Sequence, residues 1–492
     1  MGNLHDIYEH IESNQERHLG KVREYLRQPS ISATGEGVRQ CANMLAAYYQ
    51  KLGCQEIELI ETPKHPGVWA YYDAGAPLTF AVYGMYDVQP VEVQDWHYDP
   101  FGAELASQGP FPKVVIARGA FNSKGPYRLF LNTLESIIAV CGTLPVNLMF
   151  LSEGEEEIGS THYKDIVNRY GERVKKANAL LDIEANQNKE GKIVVKLGNK
   201  GIVYLELIAS GKNWGRGPQS QPIHSSRKAV VNNPAWRLLL ALNTLATPDE
   251  KTILIEGIYD EVIPPSPTDL KLIDALGEDF DDAVYANEWD ISRWIDDVKG
   301  SEWITQLLFS PSFNVDGYIS GHTGEGTLTI IPHKARAKID IRLVPNMQPR
   351  RVIELLRKHL DRHGFSDIEI KEEIAYGWNK TAPDEPAVQT MLKVYEKHGI
   401  PYEVWPFSPG SEPLYLFTQP PYHLPMLRFG VGHGSRNHAS DEYLVIEGNG
   451  KVAGLVESEK AYVDLLFALA QNGHSNDHSQ QAPRNNMQVR AL

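Results

Sequence analysis

The sequence predicts a two-domain α/β protein, in which a mixed, mostly parallel sheet covered by helices is interrupted by a smaller two-layer α/β insert. Three observations favour this fold. Short apolar runs alternate with helical patterns over roughly the first 160 residues, strict apolar–polar alternation begins near residue 200, and apolar runs return near residue 376. We therefore expect a main domain formed by residues 1–199 and 376–472, with residues 200–375 as the insert.

The main domain begins with a strand–helix–strand pattern. The apolar runs Leu78–Tyr83 and Val146–Leu151 are typical of buried strands, and Pro126 can open a helix between them. This order predicts parallel strands, and ligands bind beyond the carboxyl ends of such strands. Each run leads directly into a polar cluster, at residues 84–87 and 152–157 respectively. A functional site is therefore expected where these two strands end.

The insert and the end of the chain have different patterns. Residues 202–208 and 335–344 alternate between apolar and polar side chains, which is typical of half-solvated antiparallel strands. Residues 350–363 have the spacing of an amphipathic helix. A further helix near residues 451–470 could close the main domain, and the polar, aromatic-free residues 473–492 are predicted to be a disordered tail.

Composition excludes several classes of protein. The 492 residues contain 48 Lys plus Arg and 63 Asp plus Glu, and this net charge of −15 argues against binding to nucleic acid or to an anionic membrane. No run of about 18 apolar residues suggests a membrane span. The three cysteines form no CxxC pair, and no basic segment followed by an apolar stretch resembles a leader. We therefore expect a soluble cytoplasmic protein.

Acidic residues follow several of the apolar runs. The triplet Glu155–Glu157 comes directly after a predicted buried strand, where such charges are costly unless a cation is near. A solvated acidic loop would be the simpler reading of the triplet alone. Other candidate ligands also follow apolar runs, namely Asp87, Asp182, Glu184 and His438. Carboxylates and an imidazole on separate strand ends favour a zinc or manganese site.

Six segments together resemble a known family. They are VYGMYDVQP (82–90), ARGAFNSKGP (117–126), LSEGEEEIGS (151–160), IHSS (223–226), TIIP with IRLVP (329–345) and NHASDE (437–442). In their order and spacing they resemble the M20 metallopeptidases, nearest to the carnosinase and PepV-like dipeptidases. The resemblance implies a catalytic domain with two metal ions at its strand ends, an inserted lid domain that forms a homodimer, and a dipeptide-like substrate with a carboxylate.

The resemblance also implies roles for individual residues. Glu156 would be the general base for a metal-bound water, and Asp87 would orient the neighbouring ligand. Asp182 fits the end of its predicted strand better, whereas Glu184 keeps the ungapped spacing to Gly198, so the sequence does not choose between them. The metal ligands would be Glu157, His438 and one of Asp182 and Glu184.

Further residues match the substrate-binding positions of the family. His224 would reach the active site of the partner subunit and stabilise the tetrahedral oxyanion. Thr329 and Arg342 would hold the substrate carboxylate, for which the planar guanidinium is well suited. Gly410 and Ser411 resemble the family's Gly-Gly-Ser loop near the same carboxylate, although Pro409 replaces the first glycine of that loop.

Two expected metal ligands are replaced by neutral side chains. Met85 stands where the family has its first histidine ligand, and Asn122, followed by Ser123, stands where an aspartate bridges the two metals. A thioether is a poor ligand for zinc or manganese, and an amide brings no negative charge to share between two dications. The sequence therefore argues against a standard two-metal centre.

Several outcomes remain open for such a site. One zinc or manganese ion could be held by Glu157, His438 and the oxygen of Asn122, with Glu156 deprotonating its water. Alternatively no metal binds, and crowded carboxylates share protons so that Glu156 acts as a general acid. We expect a hydrolase that cleaves an amide bond of a dipeptide or an N-acyl amino acid derivative. The alternatives are a metal-independent enzyme of specialised metabolism that makes or breaks a C–N bond, and a non-catalytic binding homologue.

Overall fold

The computed structural model of the chain describes residues 4–278 and 280–475. Its α-helices alternate with strands in the N-terminal part and cluster around the insert and the C-terminus. They are Leu4–Ser13, Gln15–Arg27, Val38–Leu52, Lys124–Cys141, Tyr163–Arg169, Gly171–Val174, Gly211–Trp214, Pro234–Leu242, Pro267–Gly277, Asp282–Glu288, Gly300–Phe309, Pro349–Arg362, Pro386–Lys397, Tyr415–Thr418 and Leu455–Ser475. Short 3-10 turns lie at Val93–Asp95, Glu156–Ile158, Ser225–Arg227 and Ile295–Asp297.

A six-stranded mixed sheet forms the centre of the main part. Four of its strands are parallel neighbours, and two at one edge pair antiparallel. In spatial order the strands are Glu56–Ile60, Gly67–Tyr72, Asn147–Glu153, Thr79–Met85, Ala179–Ile183 and Met426–Phe429. The predicted α/β class with a mixed, mostly parallel sheet is confirmed.

Apolar side chains cover this sheet on both faces. The strand Asn147–Glu153 is buried at every residue, as expected for a strand between two helical layers. One face packs against Lys124–Cys141 and Leu455–Ser475, which also contact each other. The last helix runs to Ser475, three residues into the predicted disordered tail, whose boundary stays a prediction. The other residues of the predicted tail, 476–492, lie outside the described residues.

A second sheet is built from the middle of the chain. It has four antiparallel strands in the spatial order Ser312–Ser320, Lys334–Leu343, Gly201–Ser210 and Glu369–Tyr376. Helices Pro234–Leu242 and Pro349–Arg362 pack on it around a core of their own. The alternating patterns and the amphipathic helix thus appear where the sequence predicts them. The division into a catalytic domain and a lid, with its boundaries, stays a prediction.

The chain segment that joins strand Gly201–Ser210 to strand Ser312–Ser320 includes two helices that pack on the main part. Helices Pro267–Gly277 and Gly300–Phe309 contribute to an aromatic-rich cluster that includes Trp405 and Phe407. Trp405 ends the strand Tyr402–Trp405, which pairs with Ile193–Lys196. This segment therefore ties the predicted insert to the edge of the main part.

The remaining strands form smaller sheets. A four-stranded sheet has the order Gly434–Ser435, Tyr443–Glu447, Phe111–Ile116 and Glu104–Gln108. Two-stranded pairs join Ile223–His224 to Ile330–Ile331 and Gly198–Asn199 to Asn379–Lys380. Across the described ranges 4–278 and 280–475, we find no helix long and apolar enough to cross a membrane.

Candidate active site

The carboxyl ends of two parallel strands bring the predicted acidic residues together. Thr79–Met85 and Asn147–Glu153 are neighbours, so the turns that follow them meet at one edge of the sheet. The Asp87 carboxylate accepts hydrogen bonds from the backbone N–H groups of Glu156, at 3.2 Å, and Glu157, at 3.0 Å. Burial raises the pKa of Asp87 to about 7. Asp87 thus fixes the turn that carries the two glutamates.

Glu156 is surrounded by other acidic groups. Burial is the largest cause of its raised pKa, and repulsion from Glu157, Asp87 and Glu153 adds to it. A carboxylate whose pKa lies above its usual range is a better proton acceptor than an ordinary one and can also return the proton. The environment of Glu156 therefore suits general base and general acid chemistry.

The Glu157 carboxylate has three polar side chains around it. It accepts from the Asn122 amide at 2.9 Å and from the Gln89 amide at 2.8 Å, and His438 Nε2 lies 3.1 Å away. The hydrogen bond with Glu157 raises the pKa of His438. The Asn122 oxygen accepts from Ser123 at 3.1 Å. The amide therefore turns its nitrogen toward Glu157, whereas the sequence predicted its oxygen as a metal ligand.

Glu442 holds the loop that carries Asn122. Its carboxylate accepts from the backbone N–H groups of Phe121, at 2.9 Å, and Asn122, at 2.8 Å, and from Arg118 at 2.7 Å. Met85, in contrast, is 7% exposed and belongs to an apolar cluster with Leu414. The thioether is therefore part of the core at the position where a histidine ligand was expected.

An arginine lies beside the two candidate carboxylates of the next strand. Arg428 stands directly opposite Asp182 in the parallel pair, and its Nε donates to Asp182 Oδ2 at 2.6 Å. The same guanidinium donates to Glu412. Burial raises the pKa of Glu184 to about 8, and repulsion from Asp182 adds to the shift. Asp182 is thus already paired with a cation, and the choice between Asp182 and Glu184 stays open.

These contacts do not fit a two-ion centre. Within residues 4–278 and 280–475, no group of three or more His, Cys, Asp or Glu is arranged to hold a metal ion. The Asn122 amide donates to a predicted ligand, Met85 packs in an apolar cluster, and Arg428 binds Asp182. Two of the expected ligand positions are thus occupied by other interactions, and a third candidate ligand, Asp182, is paired with Arg428.

The predicted substrate-binding residues form two separate pairs. Arg342 Nη1 donates to Ser411 Oγ at 3.0 Å, which joins the second sheet to the loop that contains Gly410. His224 Nε2 lies 3.1 Å from Thr329 Oγ1, and both side chains are exposed. The hydrogen bonds of His224 reach Thr329 and Ser226, and none joins it to Glu156.

The sequence did not single out four residues of this site. Gln89 and Glu442 lie inside the segments 82–90 and 437–442, so their positions were close to the predicted ligands. Arg428 interrupts the apolar run 426–431, and this buried charge is the signal that could have found it. Glu412 follows Ser411 directly, but its partner is 16 residues away and could not be read from spacing.

Comparison with known proteins decides the family. A model of the peptidase family M20/M25/M40 matches residues 81–466. The chain belongs to this family. The resemblance to M20 peptidases predicted from the six segments is thereby confirmed, and the match includes every predicted site residue.

Relatives of this M20 protein include dipeptidases. It is 26% identical over 420 residues to the Cys-Gly metallodipeptidase dug1 of Schizosaccharomyces pombe, covering 81% of this chain and 85% of the relative. It is 28% identical over 287 residues to the human Beta-Ala-His dipeptidase, covering 58% of this chain and 53% of the relative. The crystal structure of an M20 family metallo-carboxypeptidase from Sulfolobus solfataricus is 32% identical, with a TM-score of 0.82, and the match covers 92% of this chain and 99% of that one.

Proposed function

We propose that this M20 protein is a peptide hydrolase that cleaves the amide bond of a dipeptide or an N-acyl amino acid derivative. The observation that carries the proposal is the position of Glu156, a carboxylate of raised pKa at the carboxyl end of a central strand. Two relatives of the chain are named as dipeptidases, and a protein of similar structure is named as a carboxypeptidase. These names support hydrolysis over the synthetic and the non-catalytic alternatives.

Glu156 would move the proton during hydrolysis. As the oxygen of a water molecule attacks the amide carbon, the Glu156 carboxylate takes a proton from it. The same group then gives the proton to the leaving nitrogen as the C–N bond breaks, which returns Glu156 to its starting state. Asp87 supports both steps because it fixes the backbone N–H groups of residues 156 and 157.

Arg342 and Ser411 would bind the carboxylate of the substrate. The guanidinium Nη1 already points at the Ser411 hydroxyl, while Nε is held by Asp340 at 3.0 Å. A substrate carboxylate placed between Arg342 and Ser411, beside Gly410, would accept hydrogen bonds from both side chains. A charge-assisted contact of this kind fixes the distance from the carboxylate to the scissile bond.

His224 and Thr329 would come from a second copy of the chain. They contact each other but form no hydrogen bond with Glu156, which supports a site that a second subunit completes. Helix Pro234–Leu242 packs on the second sheet. Its side chains Trp236, 59% exposed, and Leu240, 54% exposed, lie one helical turn apart. An exposed apolar pair of this kind supports an association surface here, and we propose a homodimer through the second sheet.

The metal content would be low. We propose that the centre holds at most one zinc or manganese ion, with Glu157 and His438 as its ligands. Binding would replace the present contact of 3.1 Å between these two side chains. The proton transfers assigned to Glu156 use only groups of the chain itself.

A turnover assay tests this proposal. The purified chain is incubated with Cys-Gly, β-alanyl-histidine and N-acetyl amino acids, with and without added Mn²⁺, and the released amino acids are quantified by mass spectrometry. We expect Glu156→Gln to lower turnover by about 10²- to 10⁴-fold, the usual contribution of a positioned general base. Glu58→Gln, on the exposed edge strand, is the matched control and should keep normal turnover. Unchanged turnover in Glu156→Gln would contradict the mechanism.

A further inference from the structure

We propose that the Arg428 guanidinium is a built-in cation of the active centre, which takes the place of a metal ion beside Asp182. Arg428 lies on the edge strand Met426–Phe429, which pairs with Ala179–Ile183, at the end of the sheet where Thr79–Met85 also ends. Its side chain is 6% exposed, and that of Asp182 is 4% exposed. The proposal concerns the metal content of the site, and it does not depend on which amide bond is cleaved.

Arg428 contacts acidic side chains from two separate parts of the fold, as a bound metal ion would. Nε donates to Asp182 at the end of one strand, and Nη2 donates to Glu412 in the loop after residue 410. These two acidic residues are 230 positions apart in the sequence, so the guanidinium bridges distant parts of the chain. Because arginine keeps its charge at any ordinary pH, this bridge does not depend on a bound ion.

Arg428 and Lys196 offset two of the three acidic groups around them without a second metal. Asp182, Glu412 and Glu184 are the acidic neighbours, and Lys196 adds a second positive charge close by. A dication brought to Asp182 would meet the guanidinium at short range in a region of low dielectric, where repulsion between like charges is strong. Arg428 therefore opposes a second ion even if suitable ligands are supplied elsewhere.

The same arginine positions the loop that would bind the substrate carboxylate. Glu412 follows Ser411 directly, and Ser411 is the residue to which Arg342 donates. Arg428 thus connects the end of the central sheet with the contact between the loop and the second sheet. Arg428 acts through Glu412 and Asp182, so it is a positioning residue.

A buried ion pair that serves only the fold is the competing explanation. Such pairs are strongly destabilised when one partner is removed, so a loss of stability or of activity in an Arg428 variant would not separate the two explanations. The number of metal ions that the protein can bind does separate them. Removal of a purely structural arginine would not create a new ion site.

The test restores the missing ligands and asks whether Arg428 still prevents a second ion. Three full-length proteins are stripped with chelator. They are the wild type, the double variant Met85→His/Asn122→Asp, and the triple variant that also carries Arg428→Met. Each is titrated with Mn²⁺ alone by calorimetry, and bound metal is counted by elemental analysis. We expect at most one ion in the first two proteins and two ions in the triple variant, with the second ion bound at least about 100-fold more tightly than in the double variant.

Two results would overturn the proposal. One is a double variant that binds two ions with Arg428 intact, and the other is a folded triple variant that binds no more Mn²⁺ than the double variant. If Arg428→Met does not fold, the combination Arg428→Gln/Glu412→Gln removes the charge together with one acidic partner, and it must give the same second ion. The readout is a metal count, so failure of the proposed hydrolysis would leave this test unaffected.

A matched arginine controls for general loosening of the fold. Arg128 is 1% exposed and is bonded to Asn132 at 2.9 Å and to Glu135, away from the strand ends. Arg128→Met in the double-variant background should leave the Mn²⁺ stoichiometry unchanged. A second ion in this control would show that the gain does not come from Arg428, and it would overturn the proposal.

Discussion

The side-chain amide of Asn122 donates a hydrogen bond of 2.9 Å to the carboxylate of Glu157. This contact places a neutral donor where two anions would otherwise face each other. The Asn122 backbone N–H is fixed in turn by Glu442 at 2.8 Å, so the amide cannot move away easily. The pair therefore keeps the acidic end of the sheet stable without a cation.

Asn122→Asp should destabilise the protein in the presence of chelator. The new carboxylate would lie against Glu157, and the loss of a hydrogen bond to a charged group, together with this repulsion, should cost about 1–3 kcal/mol. The loss should grow as the pH rises from 5 to 8, because more carboxylates are then ionised. Urea unfolding at several pH values measures both effects.

Asn122→Leu is the matched control for that change, because it removes the hydrogen bond without adding charge. We expect it to lose stability with little dependence on pH. Equal pH profiles for the two variants would contradict the role given to the Asn122 amide.

Arg342→Met should selectively impair substrates that carry a free carboxylate. Loss of a charge-assisted hydrogen bond should lower kcat/KM by about 10- to 100-fold for such substrates. The same dipeptides with an amidated C-terminus should be cleaved equally by wild type and variant. Steady-state kinetics on both substrate series measure the difference, and an equal loss for both would show that Arg342 does not bind the carboxylate.

Mixed dimers should test whether His224 acts across subunits. Homodimers of His224→Ala and of Glu156→Gln should each be nearly inactive. In an equal mixture that exchanges subunits, half of the dimers carry one complete site, so about a quarter of the normal activity should return. Mixing His224→Ala with the His224→Ala/Glu156→Gln double variant supplies the control, which should stay inactive. An inactive first mixture, despite proven exchange, would place His224 in its own subunit's site.

Lys200 should make stability depend on pH in the neutral to alkaline range. Burial lowers its pKa from 10.5 to about 7, and its ammonium donates to the Ser310 carbonyl at 2.7 Å. Between pH 7 and 10 the unfolded chain binds more protons at this position than the folded chain, so wild-type stability gains from rising pH. Lys200→Met removes this gain.

The stability of Lys200→Met relative to wild type should therefore fall by about 1–3 kcal/mol between pH 7 and pH 10. Chemical unfolding at both pH values measures it, with the exposed Lys189→Met as a control that should change little. A pH-independent difference for Lys200→Met would show that the Lys200 ammonium is not desolvated in the folded protein.

Much of the fold followed from periodicity. The buried runs before residues 84 and 152 became neighbouring parallel strands, and their polar ends met as expected. Helix Leu455–Ser475 ended later than predicted, because the polar composition after residue 470 does not prevent one more helical turn. The packing of Gly300–Phe309 against Trp405 was not foreseen, since contacts between distant segments leave no local pattern.

The site was predictable to the extent that its residues lie at strand ends. Asp87, Glu156 and Glu157 could be placed together in this way, whereas the direction of the Asn122 amide could not. Arg428 and Glu412 were missed because an ion pair between two separate elements is invisible until the strands are aligned. The homodimer, the cytoplasmic location and the individual catalytic roles stay predictions.

Glu442 has a consequence for how the enzyme matures. It binds the backbone at Asn122 across 320 positions of sequence, so the loop cannot take its final shape before the ribosome has released residue 442. During synthesis the N-terminal strands can form while their acidic edge stays open. A nascent chain would thus lack the finished Asn122 loop until residue 442 has emerged.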